Sequence, residues 1–174
     1  MSEGESISSP TVLLEALFIT LITGIYKERD VTTFHVPGAY LHADVPEGKT
    51  LLLNLWSCFI NIICDINPEH KANVWYKRAQ KVLYLRLLRS ICRCIYSSLQ
   101  WYTFYTDSLQ KKVYLIKLYD LCVEKKIIEV QQGTIVWYVD EKKTSHVNSE
   151  IIEKLISGLK VQFGDIILTR GEKQ

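Results

Sequence analysis

"TIVWYVDEKKTSHV", residues 134–147, decides how this sequence is read. A β-branched and aromatic run rises to two adjacent carboxylates, Asp140 and Glu141. It then passes through Lys142 and Lys143 into a second run of mixed polar and apolar residues. Both flanks have strand composition, so the expected reversal is a tight hairpin turn with the acids at or next to its tip. Neighbouring residues on a strand point to opposite faces, so two adjacent carboxylates converge on one ligand only where the backbone turns. A hard divalent cation such as magnesium would use that geometry, because it is held by one or two carboxylates and shares its other positions among waters and phosphates. A solvated hairpin tip, acids beside lysines, is the other reading of this stretch.

Working outward, "IIEVQQG" adds strand-forming residues with Gly133 expected as a turn, Asn148 or Ser149 is placed to cap a helix through Leu159, and "DIILTR" closes as a strand. Upstream, Leu88, Ile91, Ile95, Leu99, Tyr102 and Tyr105 recur at helical spacing and predict a long helix over residues 88–110. "NVWYKRAQKVLYLRLL" reads as a hairpin with its polar tip between Lys77 and Lys81. "TLLLNLW", residues 50–56, reads as a strand, although its period does not distinguish a buried strand from a buried helix.

The opening "MSEGESISSP" is polar and is expected to be a flexible N-terminus over residues 1–10, with Ser9 as an N-cap and Pro10 at the first helical position. Leu13, Ala16, Leu17, Thr20, Leu21 and Gly24, widened by Phe18 and Ile22, predict a helix over residues 11–25 that is mostly buried. "KERD" ends it, "VTTFHV" follows as a short strand, and "GAYLHADVPEGK" is a turn-rich connection. Hairpins alternate irregularly with helices instead of forming repeated βαβ units. The expected fold class is therefore α+β, an antiparallel sheet backed by two or three helices.

With 174 residues, 48% of them hydrophobic, the chain is long enough for one compact unit with a real core. A net charge of +2 gives no global field that demands nucleic acid, although Lys77, Arg78, Lys81, Arg86, Arg89 and Arg93 form a local basic stretch. The 5 cysteines are an odd set, lie mostly within apolar runs and follow no signal peptide, which points to buried thiols in a reducing, intracellular compartment, cytoplasmic or nuclear. Cys58, Cys64, His70 and Cys92 lack the short Cys-x-x-Cys spacing of zinc sites. The apolar stretches 13–26 and 51–66 are interrupted by polar residues and fall short of the ~20 apolar residues a bilayer span needs, so they read as core elements and no membrane partner is expected.

"YVDE" at Tyr138 to Glu141 resembles the Tyr-Val-Asp-Asp box of reverse transcriptases, and more specifically of copia-type retrotransposon polymerases. "SSPTVLLEALFIT", "ERDV", "VPGAYLHADVPEG", "INPEHKANVWY", "KVLYLRLLRS", "LQWYTFYTDSL", "YDLCV" and "LTRGEK" stand in the order expected of that family and extend the resemblance over nearly the whole chain. The resemblance implies a palm-like sheet over residues 11–174, an RNA or DNA template-primer and a deoxynucleoside triphosphate as substrates, and Mg2+ held by carboxylates for a two-metal displacement. Carried over by position, Asp140 and Glu141 take the places of the hairpin aspartates and metal ligands. His35, in "FHVPGAY", takes the place of the aspartate in the first sheet motif. Tyr40 takes the place of the aromatic gate under the incoming sugar, Tyr138 opens the hairpin box, and Arg93 stands where the family has glycine in the template-handling segment.

Three of these positions depart from the family pattern. His35 removes a negative charge and offers a nitrogen better suited to zinc or copper than to magnesium. Glu141 adds a methylene and displaces its carboxylate by roughly an ångström. Arg93 puts a long side chain where the backbone should approach closely. The resemblance also implies flanking fingers, thumb and ribonuclease H segments that this chain does not show. The expectation is a palm-region fragment of a retrotransposon polyprotein, other segments of which are possible partners, that is catalytically inactive as it stands. A non-catalytic nucleic-acid-binding or protein-interaction remnant, and a decayed reading frame, are the alternatives. His35 as a plain sheet residue and Tyr40 as a plain core residue also remain open.

Overall fold

The computed structural model describes residues 8–170. In chain order the elements are α1 (Leu14–Tyr26), β1 (Asp30–His35), a 3-10 helix (Ala39–His42), β2 (Leu51–Trp56), α2 (Cys58–Ile66), a second 3-10 helix (Pro68–Asn73), β3 (Trp75–Lys77), β4 (Gln80–Leu87), α3 (Ser97–Gln110), β5 (Leu115–Lys117), β6 (Asp120–Ile128), β7 (Gln131–Tyr138), β8 (Glu141–His146), α4 (Ser149–Phe163) and β9 (Ile167–Arg170). The class is α+β with antiparallel sheets, as expected. Where length favours one compact unit, however, the chain folds into two: the described residues through Ala43 and from Ile91 onward form the larger, and Asp44–Ser90 form the smaller.

The larger unit is built on a six-stranded sheet in the order β5-β6-β7-β8-β1-β9, every pair antiparallel. Alternation along the strands sends Phe34, Cys122, Ile135 and Trp137 to one face, where they form the main core with Trp101, Tyr105 and Leu109 of α3 and Leu155, Leu159 and Phe163 of α4. Aromatic rings dominate this layer: Trp137 stacks on Tyr102 at 5.2 Å between centroids and meets Tyr105 edge-on at 5.0 Å. The other face receives α1 through Val123 and Val136. The smaller unit pairs β2, β4 and β3 in that order and packs Leu55, Leu83 and Leu85 beneath Ile60 and Cys64 of α2.

Several expectations are corrected. α1 begins at Leu14, not residue 11, and neither Ser9 nor Pro10 starts it; the Leu13 amide instead donates to Asp120 Oδ2 at 2.8 Å. Nor is α1 mostly buried: Ala16, Thr20 and Gly24 form its buried stripe, while Leu14, Phe18, Ile22 and Ile25 are exposed. Small residues four apart let the helix lie close to the sheet, and the larger apolar chains take the opposite side.

The predicted helix over 88–110 is helical only from Ser97. Up to Leu87 the chain is still strand, the Leu88 carbonyl accepts from the Val45 amide, and Arg93 has a left-handed φ of 69°, which interrupts a right-handed helix. Gly133 is not a turn; it pairs with Lys126 inside β7, and the reversal falls on Glu129 and Val130, with φ of 49° and 68°. The capped helix at Asn148 is present and runs past Leu159 to Phe163, its Asn148 side chain accepting from the Glu150 amide. The hairpin over β3 and β4 reverses at Arg78 and Ala79, within the expected tip. Residues 1–7 of the expected flexible N-terminus, and the end of "LTRGEK", lie outside the described residues.

Candidate active site

β7 and β8 pair down to Tyr138 and Glu141, leaving Val139 and Asp140 as a two-residue turn. The two acids therefore stand at the tip, as the composition of the flanking runs required. Val139 has φ 52°, at the position a type II′ hairpin turn usually gives to glycine, so a β-branched residue is held in a costly backbone region. Three groups hold the tip in place. Trp101 Nε1 donates to the Val139 carbonyl at 2.7 Å, Lys142 Nζ donates to the same oxygen at 2.9 Å, and the Val36 amide donates to the Asp140 carbonyl at 3.1 Å.

β1 lies on the far side of β8, and its register sets His35 opposite Glu141. Paired residues share a face, so the imidazole and the carboxylate meet: His35 Nδ1 is 3.3 Å from Glu141 Oε1 and 3.5 Å from Asp140 Oδ2. Neither approach has hydrogen-bond geometry, and Nδ1 itself is shielded from solvent without a partner of that kind. When the ring is protonated, both contacts are ion pairs. Asp140 and Glu141 keep 45% and 65% of their side chains exposed, so the acids remain open to an approaching group.

Next along β8, Lys142 turns to the opposite face and is buried, its Nζ 4.9 Å and 5.0 Å from the ring centroids of Trp101 and Tyr105. Burial pulls its ammonium down to a pKa of about 7, against the opposing pull of Asp140 and Glu141. Lys143 returns to the α1 face, where Nζ donates to Thr20 Oγ1 at 3.0 Å; burial, with the nearby Arg29 charge, lowers its pKa to about 8.

The structure thus brings His35, Asp140 and Glu141 together, puts Tyr138 half-exposed on the last position of β7, and leaves Tyr40 and Arg93 outside the hairpin. Tyr40 sits in the first 3-10 helix, half-buried against the main core, and Arg93 is exposed in the loop before α3. The basic stretch is not a single stripe. Arg78 occupies the β3–β4 turn, Lys81 pairs with Tyr76 on the α2 side, and Arg89 is 3.7 Å from Asp44.

The residues at the tip do not fit a pair of magnesium ions. Such a site needs carboxylate oxygens on both sides of the metals, and here the third corner is a ring nitrogen packed between the two acids. Among the described residues no group of three or more His, Cys, Asp and Glu side chains is arranged to hold a metal ion; Cys58 and Cys92 are exposed while Cys64 is buried.

Trp101 and Val36, which fix the tip, carried no functional signal in the sequence, because their roles depend on contacts between distant segments. Glu124 was also missed. It is fully buried on β6 and neither carboxylate oxygen has a hydrogen-bond partner; burial raises its pKa to about 8. Its signal was present: in "DLCVEKKII" it shares strand parity with Cys122, on the covered face.

Compared with known protein families, curated proteins and solved structures, the chain matches none. No helix among the described residues is long and apolar enough to cross a membrane.

Proposed function

We propose that the chain is the palm region of a copia-type retrotransposon reverse transcriptase whose metal site has degenerated, so that it does not extend primers. One observation carries the reading. The two motifs that the resemblance assigns to a shared site, "FHVPGAY" and "YVDE", lie far apart in the chain, yet adjacent strands bring His35 within 3.5 Å of Asp140 and 3.3 Å of Glu141. An antiparallel sheet with the acids on a hairpin turn and helices on its main-core face is also the layout that family implies.

Inactivity follows from the same place. An imidazole at the third corner contributes no carboxylate, and a glutamate at the second shifts its oxygens along the side chain. Positioning errors near one ångström cost about 10²-fold in rate. Loss of a bridging carboxylate costs at least about 10³-fold.

The test restores the site. His35→Asp with Glu141→Asp in this chain should bind Mn2+, read by paramagnetic line broadening and by a rise in melting temperature, whereas the unmodified chain should show neither. No Mn2+ binding by the folded double variant would remove the palm reading. Template-dependent primer extension by the unmodified chain, abolished by Asp140→Ala, would remove the claim of inactivity.

A further inference from the structure

At the end of β7 away from the acids, the larger unit holds a second cluster of charge. Lys126 and Ile128 share strand parity with Cys122, so both turn toward the helix layer. Ile151, Lys154 and Leu155 fall on one face of α4 by their spacing of three and four. Together with Lys112, Tyr114 and Glu129 they line a cavity of about 310 Å3. That is the small end of the ~300–1,000 Å3 that organic ligands occupy, room for a charged head and one ring. The 8 residues of β7 set the cavity roughly 25 Å from the turn that carries Asp140, so it is no part of the hairpin site.

Charge selects the occupant. Lys112, Lys126 and Lys154 face one carboxylate, Glu129, a surplus of two positive charges, and none of the three lysines is ion-paired among the described residues. Two of them are fixed in place. Lys126 Nζ donates to the Lys112 carbonyl at 2.8 Å and stands 5.7 Å from the centre of the Tyr114 ring, which leaves two of its protons for a ligand. The Lys112 ammonium reaches α4 at Gly158, where an added Cβ would lie 3.5 Å from Nζ, so a long side chain there would stand in its way. Like charges that share a cavity without counter-charges raise its potential and favour an anion. A phosphomonoester presents three acceptor oxygens, one for each ammonium, and its charge of about −2 equals the surplus. Tyr114, Ile128 and Leu155 supply an apolar wall for the group that the phosphate esterifies.

We propose that this cavity binds a small phosphomonoester with an aryl or alkyl body, its phosphate on Lys112, Lys126 and Lys154 and its body against Tyr114, Ile128 and Leu155. The site stands on these residues alone and does not depend on the polymerase reading.

The test titrates the full chain with phenyl phosphate in a calorimeter and follows its melting temperature, which a ligand of the folded state raises. Binding should saturate at one site and be at least about tenfold tighter than that of inorganic phosphate, which lacks the apolar body, while uncharged benzyl alcohol should not bind. Lys112→Met and Lys126→Met keep the aliphatic bulk and remove the charge, and each should weaken binding roughly tenfold. Glu129→Gln should tighten it, and Gly158→Leu should weaken it by displacing Lys112. Lys160→Met, on α4 outside the cavity, and Asp140→Asn, at the hairpin, should change nothing. Circular dichroism checks that each variant is folded; if Lys126→Met is not, Lys112→Met and the exposed Lys154→Met carry the comparison. Absence of saturable binding, equal affinity for phenyl phosphate and inorganic phosphate, or undiminished binding by folded Lys112→Met/Lys154→Met would overturn the proposal. So would displacement of phenyl phosphate by an oligothymidylate, since the lysines would then serve a polynucleotide backbone.

Discussion

Trp101, on α3, donates its indole hydrogen to the carbonyl of Val139 at 2.7 Å, tying a helix of the main core to the turn that presents Asp140 and Glu141. The ring is 1% exposed and packs against Tyr105 and Phe163, with centroids 5.4 Å and 5.6 Å away. The hairpin tip is therefore fixed from beneath by the helix layer.

Trp101→Phe keeps much of the packing and removes the donor. Lys142 still donates to the same carbonyl, so the oxygen is not orphaned. The expected loss is about 1–3 kcal/mol, from the missing hydrogen bond and the smaller ring. Urea unfolding measures it; an unchanged midpoint would mean that the lysine alone holds the turn.

Val130→Gly should stabilise the protein. Val130 is 91% exposed, so little burial is lost, and its φ of 68° lies where a β-branched residue is strained. Glu129 and Val130 form the two-residue loop between Ile128 and Gln131, both with positive φ, the pattern of a type I′ turn that favours Gly at its second central position. A gain of about 1 kcal/mol is expected. A lower melting temperature for the glycine variant would show that the strain is not real.

Gly24→Ala should also stabilise, by about 0.5–1 kcal/mol, since Gly24 is inside α1 and alanine is the better helix former. An added Cβ would meet Val31 Cγ2 at 3.8 Å, an ordinary contact. Gly24→Leu should destabilise, because the α1 stripe of small residues leaves no room for it. Equal melting temperatures for the two variants would contradict this packing.

Two buried charges give opposite pH trends. Burial raises Glu124 from 4.5 to about 8, so the folded chain keeps a proton that the unfolded chain releases, and stability falls as pH rises through that window. Burial lowers Lys142 from 10.5 to about 7, so the unfolded chain keeps a proton that the folded chain releases, and stability rises with pH between those values. Glu124→Gln should remove the fall, and Lys142→Met should remove the rise between pH 7 and 8 and lessen it above, where Lys143, lowered by burial to about 8, adds a rise of its own. Each slope is at most about 1.4 kcal/mol per pH unit. Urea midpoints measured across pH 4–10 would contradict the assignment if either variant kept the slope attributed to its charge.

Much of the site was legible in the sequence because it rests on local rules. Strand composition on both sides of "VDE" required a short reversal, and "VTTFHV" had to be a strand, so two elements of the site follow from residue types alone. The cap of α4 was equally local, since Asn148 satisfies an amide two residues away. Elements whose limits depend on distant partners were not legible. Ser9 and Pro10 looked sufficient to start α1, but its entry is held by Asp120, which also accepts from the Cys122 amide at 2.8 Å. The apolar period through residues 88–110 was continuous, but pairing with Val45 and the backbone at Arg93 kept its first part out of the helix.

The amino-acid sequence by itself determined where the β3–β4 and β7–β8 hairpins reverse and that two acids stand together on a turn, because propensity and side-chain alternation act over a few residues. Only the tertiary structure decided that His35 faces those acids. Register between β1 and β8 is set by which face of each strand is buried, and a slip of one residue would have turned His35 to the other side of the sheet. The same rule placed Glu124 and Lys142 inside and left Trp56 and Trp75 open.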